Sequence, residues 1–319
     1  MDLHHSSGAS RPFDVLGGWA GVLGRLLEGS SLDAAEAECV MEQVFEGEAT
    51  PAQTAALLVA LRAKGESVAE VTGFVRAMLA HTETVPVEGD VVDLVGTGGD
   101  RLRSFNVTTL AAIITAGAGA AVCKHGNRAA SSSVGTADVL EALGVVADLG
   151  PVGVARCVAE VGMGFCFAPR FNRAMRFAGP VRAQLGIPTV FNVLGPLANP
   201  ARATRQLVGL SDPAMASTMA EVLGTNGSRH SMVVYADDGL DELSVTSPST
   251  VMEVIGDGLG GYDVRTWRLD PVQLGFAQAT MDDLRGGDAA FNARVIRGVL
   301  TAIAVPGGTS AYLTPRPRW

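Results

Sequence analysis

A short apolar strand that runs directly into a glycine-rich turn constrains this chain more than any other feature. The predicted strand covers residues 91–95, and the turn that follows, residues 96–100, reads GTGGD. Glycine exposes backbone N–H groups to an anion, because a Cβ would hold a phosphate away from the backbone. The turn matches neither the dinucleotide fingerprint nor the P-loop, and a glycine-rich turn of this kind is more often a tight strand–helix connection. By itself it therefore leaves phosphate binding open.

A second polar cluster follows another apolar run, AAVC, and favours the phosphate interpretation. Residues 124–132 read KHGNRAASS, and Thr136 begins a predicted helix. Lys124 supplies a point charge, and the hydroxyls of Ser131, Ser132 and Thr136 suit phosphate oxygens near a helix N-terminus. Ligands of open α/β sheets bind beyond the carboxyl ends of the strands. We therefore expect both turns to face one crevice.

Two adjacent acids form a third cluster, Asp241 and Glu242, in the sequence GLDELS after the strand-like run SMVVYA. Mg²⁺ is commonly held by one or two carboxylates together with substrate phosphates. A solvated acidic turn is the alternative, and the neighbouring Asp237 and Asp238 illustrate it. Two phosphate-binding turns favour the metal site, because a diphosphate needs its charge neutralised.

The composition limits the possible partners. The net charge of −9 disfavours nucleic acids and anionic membranes as ligands. The four cysteines, Cys39, Cys123, Cys157 and Cys166, lack metal-ligand spacing and predict buried thiols in a reducing compartment. No apolar run reaches membrane-spanning length, and the N-terminus lacks a signal pattern. We therefore expect a soluble, cytoplasmic protein.

The chain predicts an α/β fold with a small all-α N-terminal domain and a larger α/β domain whose central sheet is mostly parallel. Helix starts are predicted at Ser31, Thr50 and Ser67. Later, short apolar runs alternate with helical runs, and VVADL at 145–149 is read as one of the strands. The predicted divisions are a flexible tail (1–15), a helical domain (16–88), an α/β domain (89–300) and an atypical tail (301–319). The helical segment 170–189 is expected to pack on the small domain, which places the ligand cleft between the domains.

Six motifs carry a resemblance to a known family. GTGGD, NVTT, KHGNRAASS, ADVLEALG, NVLGPLANP and GLDELS occur in the order and approximate spacing of the anthranilate phosphoribosyltransferases. The likeness extends from about Trp19 to about Leu300. It implies a homodimer formed through the helical domain. It also implies a reaction of tryptophan biosynthesis: the phosphoribosyl group of phosphoribosyl diphosphate (PRPP) moves to the amine of anthranilate, which gives N-(5-phosphoribosyl)anthranilate and diphosphate.

The resemblance also implies residue roles. PRPP binding falls to Gly96, Gly99, Asp100, Ser104, Asn106, Val107, Thr108, Thr109, Lys124, His125, Gly126, Asn127, Arg128, Ala129, Ala130, Ser131, Ser132 and Thr136. Anthranilate binding falls to Gly96, Asn127 and Arg182, with Arg182 on the carboxylate. The Mg²⁺ cofactor falls to Thr108, Asp241 and Glu242. Lys124, Asp241 and Glu242 are the residues expected to act in catalysis, whereas His125 is expected to line the aromatic pocket.

The chain departs from the family pattern at several positions. Arg101 and Arg103 stand where small residues are common, Asn172 and Arg173 replace a His-Pro pair, and Val134 replaces a serine. Residues 301–319 lack helical periodicity, and truncation or a shifted reading of the gene are the two interpretations. These departures keep alternatives open: a divergent or truncated paralogue with another aromatic amine acceptor, a non-catalytic nucleic-acid-binding relative, or a pyrimidine nucleoside phosphorylase.

Overall fold

The computed structural model describes residues 12–100, 102–128 and 134–301. The chain divides into two units: a helical unit, Met1–His81 with Ala174–Leu194, and a sheet unit, Thr82–Arg173 with Gly195–Trp319. Within the described ranges, every helix is too short or too polar to traverse a bilayer.

The helices, in chain order, are α1 (Pro12–Val15), α2 (Gly18–Leu27), α3 (Ala34–Glu46), α4 (Pro51–Lys64), α5 (Val68–Ala80), α6 (Val107–Gly117), α7 (Thr136–Ala142), α8 (Pro151–Val161), α9 (Ala168–Phe171), α10 (Met175–Leu185), α11 (Phe191–Leu197), α12 (Ala216–Thr225) and α13 (Ala289–Leu300). The strands are β1 (Val92–Gly96), β2 (Val122–Gly126), β3 (Met163–Phe167), β4 (Arg205–Gly209), β5 (His230–Ala236), β6 (Ser249–Gly256) and β7 (Tyr262–Leu269). Residues 12–15, expected in the flexible tail, thus form a short helix, and residues 1–11 and 302–319 lie outside the described ranges.

Local capping fixes where the helices of the helical unit begin. Thr50 and Ser67 cap α4 and α5 as predicted, each within a reciprocal capping box. The predicted start at Ser31 is wrong, because Asp33 caps α3 instead. The Asp33 carboxylate accepts the Glu36 N–H at 2.9 Å, and the Glu36 carboxylate accepts the Asp33 N–H at 2.8 Å.

Part of the predicted segment 170–189 belongs to the helical unit. Helix α10 packs on α3 and α4, and the Phe177 ring lies so close to Gly47 that a Cβ there would be 2.6 Å from it. The segment is not one continuous helix, since α9 ends at Phe171 in the sheet unit and α10 begins at Met175. Residues 82–88, which the sequence assigned to the helical domain, also cluster with the sheet unit.

The sheet has seven strands in the order β3-β2-β1-β4-β5-β6-β7. The first five strands in this order pair in parallel, and the β5–β6 and β6–β7 pairs are antiparallel. This pairing confirms the mostly parallel sheet. Residues 145–149 form no strand. Ala147 is buried against Leu140 and Phe165, whereas Val146 is exposed, so this apolar run covers a helix end.

The parallel strands position the site. The described residues of β1 are buried except at the terminal Gly96, and β2 repeats this pattern up to Gly126. Because β1, β2, β4 and β5 are parallel, they end at one edge of the sheet, where the loops after β1, β2 and β5 meet.

Candidate functional site

The loops after β1, β2 and β5 line a partly open cavity of about 280 Å³ at the carboxyl edge of the sheet unit. Fifteen of the residues assigned a role from the sequence line it, and they come from all three predicted clusters. They are Gly96, Gly99, Asp100, Ser104, Asn106, Val107, Thr108, Lys124, His125, Gly126, Asn127, Arg128, Thr136, Asp241 and Glu242.

The other assigned residues fall elsewhere. Thr109 is fully buried on α6, and its hydroxyl has no hydrogen-bond partner within the described ranges. Arg182 lies in the helical unit, on α10, where its guanidinium is 5.2 Å from the centre of the Phe191 ring and burial lowers its pKa. The remaining assigned residues lie outside the described ranges: Ala129, Ala130, Ser131 and Ser132.

The loop after β1 is held by side chains from other loops. Gly98 and Gly99 adopt positive φ angles of 67° and 86°, which favour glycine. The Gly98 N–H donates to Asp241 Oδ2 at 2.7 Å, so the anion that it contacts in this structure is a carboxylate. Ser211, just beyond β4, donates from Oγ to the Gly98 carbonyl at 2.8 Å and from its N–H to Thr97 Oγ1 at 3.2 Å. Ser211 was missed by the sequence analysis.

Two strand-terminal glycines allow the acidic loop to lie against the sheet edge. A Cβ on Gly96, at the end of β1, would lie 2.5 Å from Asp241 Oδ2. A Cβ on Gly209, at the end of β4, would lie 1.7 Å from the Asp241 carbonyl oxygen. Any larger residue at either position would displace Asp241.

The acids of this loop are buried and incompletely satisfied. The Thr108 N–H, in the first turn of α6, opposes the rise in the Glu242 pKa, while Glu242 Oε2 has no partner within the described ranges. Burial raises the pKa of Asp241 to about 6, with the nearby Asp100 adding to the effect. Burial and the negative charge of Asp241 raise the pKa of Glu242 well above its ordinary value. Such a pair of carboxylates is suited to a divalent cation.

The donor set matches a hard cation that shares its ligands with a substrate. Within the described ranges, no group of three or more His, Cys, Asp or Glu residues is arranged to hold a metal ion by itself. Mg²⁺ is usually bound by one or two carboxylates plus phosphate oxygens and waters. Asp241 and Glu242, with Thr108 in the same cavity lining, fit this requirement.

Lys124 on β2 is fully buried. Its Nζ donates to the Leu94 carbonyl, and the charge of Asp93 on the neighbouring strand opposes the lowering of the Lys124 pKa by burial. Asp93 accepts the His125 N–H at 3.0 Å and the Asn199 Nδ2–H at 2.7 Å. Burial raises the pKa of Asp93 to about 6, and Lys124 counteracts that rise. The charged form of each of these two buried residues is therefore stabilised by the charge of the other.

His125 is a neutral side chain with both ring nitrogens engaged. Burial lowers the pKa of His125 to about 4. In the neutral ring that fits the contacts, Nδ1–H donates to the Gly195 carbonyl at 3.1 Å, and Nε2 accepts from Asn172 Nδ2 at 3.3 Å. Thr82 Oγ1 donates to Asn172 Oδ1 at 2.5 Å and so fixes the amide orientation. Asn172, one of the departures from the family pattern, thus holds His125 in place.

Arg128 is already paired with helix α7. Its guanidinium donates to both Glu141 oxygens, at 2.7 and 2.8 Å, and to Asp138 Oδ1 at 2.8 Å. These bonds raise the Arg128 pKa, and the guanidinium also lies 5.5 Å from the centre of the Phe167 ring. A substrate phosphate would have to compete with two carboxylates for this side chain.

Asn106 connects the cavity to α13, the last helix of the described residues. Its Oδ1 accepts from Asn292 Nδ2 at 3.0 Å, and its Nδ2 donates to the Val134 carbonyl at 3.3 Å. Asn292 lies on α13 and was missed by the sequence analysis. The sequence did offer one signal for Asn292: it is a polar amide on a helix beside the apolar residues Ala293 and Ile296, which are buried.

Comparison with known proteins identifies related sequences and folds. Two family models match, "Glycosyl transferase family, helical bundle domain" over residues 20–82 and "Glycosyl transferase family, a/b domain" over residues 88–308. The chain is 52% identical over 279 residues to the anthranilate phosphoribosyltransferase of Rhodococcus jostii, covering 88% of this chain and 75% of that one. It is 52% identical over 289 residues to the enzyme of the same name from Thermomicrobium roseum, covering 89% and 82%.

Solved structures show the same architecture. Anthranilate phosphoribosyltransferase from Thermus thermophilus aligns with a TM-score of 0.84 and 39% identity, covering 92% of this chain and 86% of that one. The Saccharomyces cerevisiae protein in complex with PRPP and Mg aligns with a TM-score of 0.81 and 25% identity, covering 98% and 86%. The same yeast protein with 4-fluoroanthranilate aligns with a TM-score of 0.79 and 25% identity, covering 94% and 86%.

Proposed function

We infer the activity of this chain from one premise: it belongs to the anthranilate phosphoribosyltransferase family. It is a pentosyltransferase that moves the phosphoribosyl group of PRPP to the amine of anthranilate, a step of tryptophan biosynthesis. The observation that carries this conclusion at the level of residues is the convergence of the loops after β1, β2 and β5 on one cavity.

PRPP is proposed to bind in that cavity. The loop after β1 brings backbone N–H groups and the first turn of α6 to the cavity, and the loop after β2 brings the first turn of α7. Helix N-termini and glycine-rich loops favour anionic groups. Asn106, which bonds to both the β2–α7 connection and α13, holds the two loops at a fixed distance.

Mg²⁺ is proposed to be held by Asp241 and Glu242, with Thr108 as the third contributor. The unpartnered Glu242 Oε2 and the raised pKa values of both acids support this assignment. The yeast relative is described in complex with PRPP and Mg. When bound, Mg²⁺ would neutralise charge that develops on the departing diphosphate.

The residues of the chain supply electrostatic stabilisation in the proposed mechanism. The amine nitrogen bonds to the anomeric carbon, the C–O bond to diphosphate breaks with its electron pair, and the nitrogen then releases a proton. An aromatic amine is neutral at pH 7, so no strong base is needed. His125 is unsuited to that role, because both of its ring nitrogens are engaged. Lys124, fixed in the wall of the cavity, provides positive charge for the leaving group.

Anthranilate is proposed to contact Gly96 and Asn127, which line the cavity, and Arg182, which lies in the helical unit. Arginine suits a carboxylate through two parallel hydrogen bonds. A homodimer formed through the helical unit and a cytoplasmic location are parts of the same proposal.

The activity is tested by following the fluorescence of anthranilate in the presence of protein, PRPP and Mg²⁺. We expect PRPP-dependent loss of the anthranilate signal with release of one diphosphate per anthranilate consumed. Omission of PRPP and addition of a metal chelator are the controls. A folded protein that binds PRPP but leaves anthranilate unchanged would contradict anthranilate as the acceptor and would direct the search to other aromatic amines, in keeping with Asn172 beside His125.

A further inference from the structure

Arg103 has an unusual backbone conformation for its residue type. Its φ angle is 56°, in the left-handed region that arginine rarely occupies. Neighbouring residues impose this conformation: the Gly286 N–H donates to the Arg103 carbonyl at 2.8 Å, and the Phe105 N–H donates to the Leu284 carbonyl at 3.0 Å. A strained residue that its surroundings hold in place at a cavity wall points to a role for its side chain.

The Arg103 side chain is exposed and lines the cavity. Within the described ranges it makes no ion pair or side-chain hydrogen bond, whereas the other two cationic residues of the lining are engaged. Lys124 donates to the Leu94 carbonyl, and Arg128 is bonded to Glu141 and Asp138. Arg103 is therefore the cation of the described lining that a ligand reaches without breaking an existing contact.

The charge of the proposed substrate explains why such a cation is useful. PRPP carries a diphosphate and a separate 5-phosphate, and a metal ion held by Asp241 and Glu242 faces only part of that charge. The cavity lining also contains Asp100, so its acidic side repels phosphate groups that the metal does not bind. A guanidinium suits a phosphate because its fork of N–H donors matches two phosphate oxygens.

We propose that Arg103 binds a phosphate group of PRPP directly, and that its backbone is held at positive φ to place the guanidinium in the cavity. This inference rests on the proposed function, because PRPP is the substrate assigned there. It assigns a substrate-binding role to a position at which the family commonly has a small residue.

The test compares Arg103→Gly, Arg103→Asn and Arg103→Lys with wild type. Glycine and asparagine both tolerate positive φ, so they remove the side chain without adding strain. Arg285→Ala is the matched control, since Arg285 is an exposed neighbour that pairs with Asp282 and does not line the cavity. The readouts are the Kd of PRPP by calorimetry, with and without Mg²⁺, the KM of each substrate, and the melting temperature.

We expect Arg103→Gly and Arg103→Asn to weaken PRPP binding about tenfold or more, since hydrogen bonds to charged groups contribute about that much. Arg103→Lys is expected to lose less, and Arg285→Ala nothing. The KM for anthranilate should stay within about twofold, and Arg103→Gly should melt at the wild-type temperature or above it. PRPP affinity equal to wild type in both neutral variants would overturn the inference.

Inorganic diphosphate separates this inference from the proposed function. If wild type binds diphosphate but not PRPP, the proposed substrate is wrong, while a weaker diphosphate affinity in Arg103→Asn still supports an anion-binding Arg103. If wild type and Arg103→Asn bind both PRPP and diphosphate equally well, Arg103 has no such role.

Discussion

The acidic wall of the cavity (Asp100, Asp241 and Glu242) and its basic wall (Lys124, His125 and Arg128) differ in how their polar groups are satisfied. On the acidic wall, Glu242 Oε2 is buried without a partner in the described part of the chain, and burial raises the pKa values of all three acids. On the basic wall, each side chain is already bonded to protein atoms. The side chains of the basic wall are thus satisfied before a ligand arrives, which leaves Arg103 as the unengaged cation of the described lining, whereas the acidic wall keeps an unpartnered oxygen suited to a cation.

The largest effect is expected from neutralising the acidic wall. Asp241→Asn combined with Glu242→Gln should reduce kcat/KM by about a hundredfold or more, because metal-ion stabilisation of the leaving group amounts to several kcal/mol. Without metal, the double variant should melt no lower than wild type, because two buried carboxylates become neutral amides of similar shape. Kinetics over a range of Mg²⁺ concentrations and melting curves with and without Mg²⁺ measure both effects.

Asp237→Asn is the control for that experiment, since Asp237 begins the same loop but pairs with the exposed Arg268 and does not line the cavity. Retention of Mg²⁺-dependent activity by the double variant, or equal losses in Asp237→Asn, would remove the distinction between the two walls.

A smaller effect is expected on the basic wall, and it should appear first as lost stability. Lys124→Met leaves Asp93 buried without its compensating charge, which should lower the free energy of unfolding by about 3 kcal/mol at pH 8. Asp93→Asn in the same chain should restore part of that stability, because it removes the uncompensated charge but replaces one of the two accepting oxygens with an NH2 group, and it should not restore the affinity for PRPP. Urea unfolding and calorimetry separate the two. Full recovery of PRPP binding in the double variant would show that Lys124 acts only through the fold.

His125 provides a test through pH. Its folded-state pKa of about 4 lies below the ordinary 6.5, so its neutral form contributes stability above pH 6.5 that is lost as the pH falls towards 4. Wild type should therefore lose about 2 kcal/mol more than His125→Gln between pH 7 and pH 4.5. The raised pKa of Asp93 has the opposite effect on stability but is common to both proteins. Urea titrations at the two pH values make the comparison, and equal losses would mean that His125 is not held neutral.

The smallest effect is expected at Arg128. Arg128→Ala removes exposed ion pairs to Glu141 and Asp138, which contribute little to stability because solvent screens them. The melting temperature should stay unchanged within error, and the Kd of PRPP should rise less than in Arg103→Asn. A larger loss of affinity at Arg128 than at Arg103 would mean that substrate displaces the α7 carboxylates.

The sequence predicted the sheet edge well because the relevant signals are local. GTGGD, KHGN and GLDELS each follow an apolar run, and parallel pairing brings the ends of such runs to one side. The residues around Gly98 could not show whether its turn is only a tight connection or a ligand-binding loop. The Gly98 N–H contacts Asp241, which is 143 residues away in the sequence. Ser211 and Asn292 were missed for the same reason.

Other errors come from signals that are accurate only to within a few residues. Ser31 and Asp33 are both capping types, and only the contact with Glu36 shows which one caps α3. The family resemblance assigned both Thr108 and Thr109 to PRPP, but a helix turns by about 100° per residue, so consecutive side chains face different surroundings. Thr108 lines the cavity and Thr109 is buried.

Gly209 is not part of the cavity lining, yet a single methyl group there would collide with the Asp241 carbonyl. Loss-of-function screens of this protein should therefore recover substitutions at Gly209 about as readily as substitutions of the acids themselves. Such variants would be classified as ordinary packing defects unless their response to Mg²⁺ were measured. The substitution would leave the acid Asp241 in the sequence but would displace the backbone that orients it.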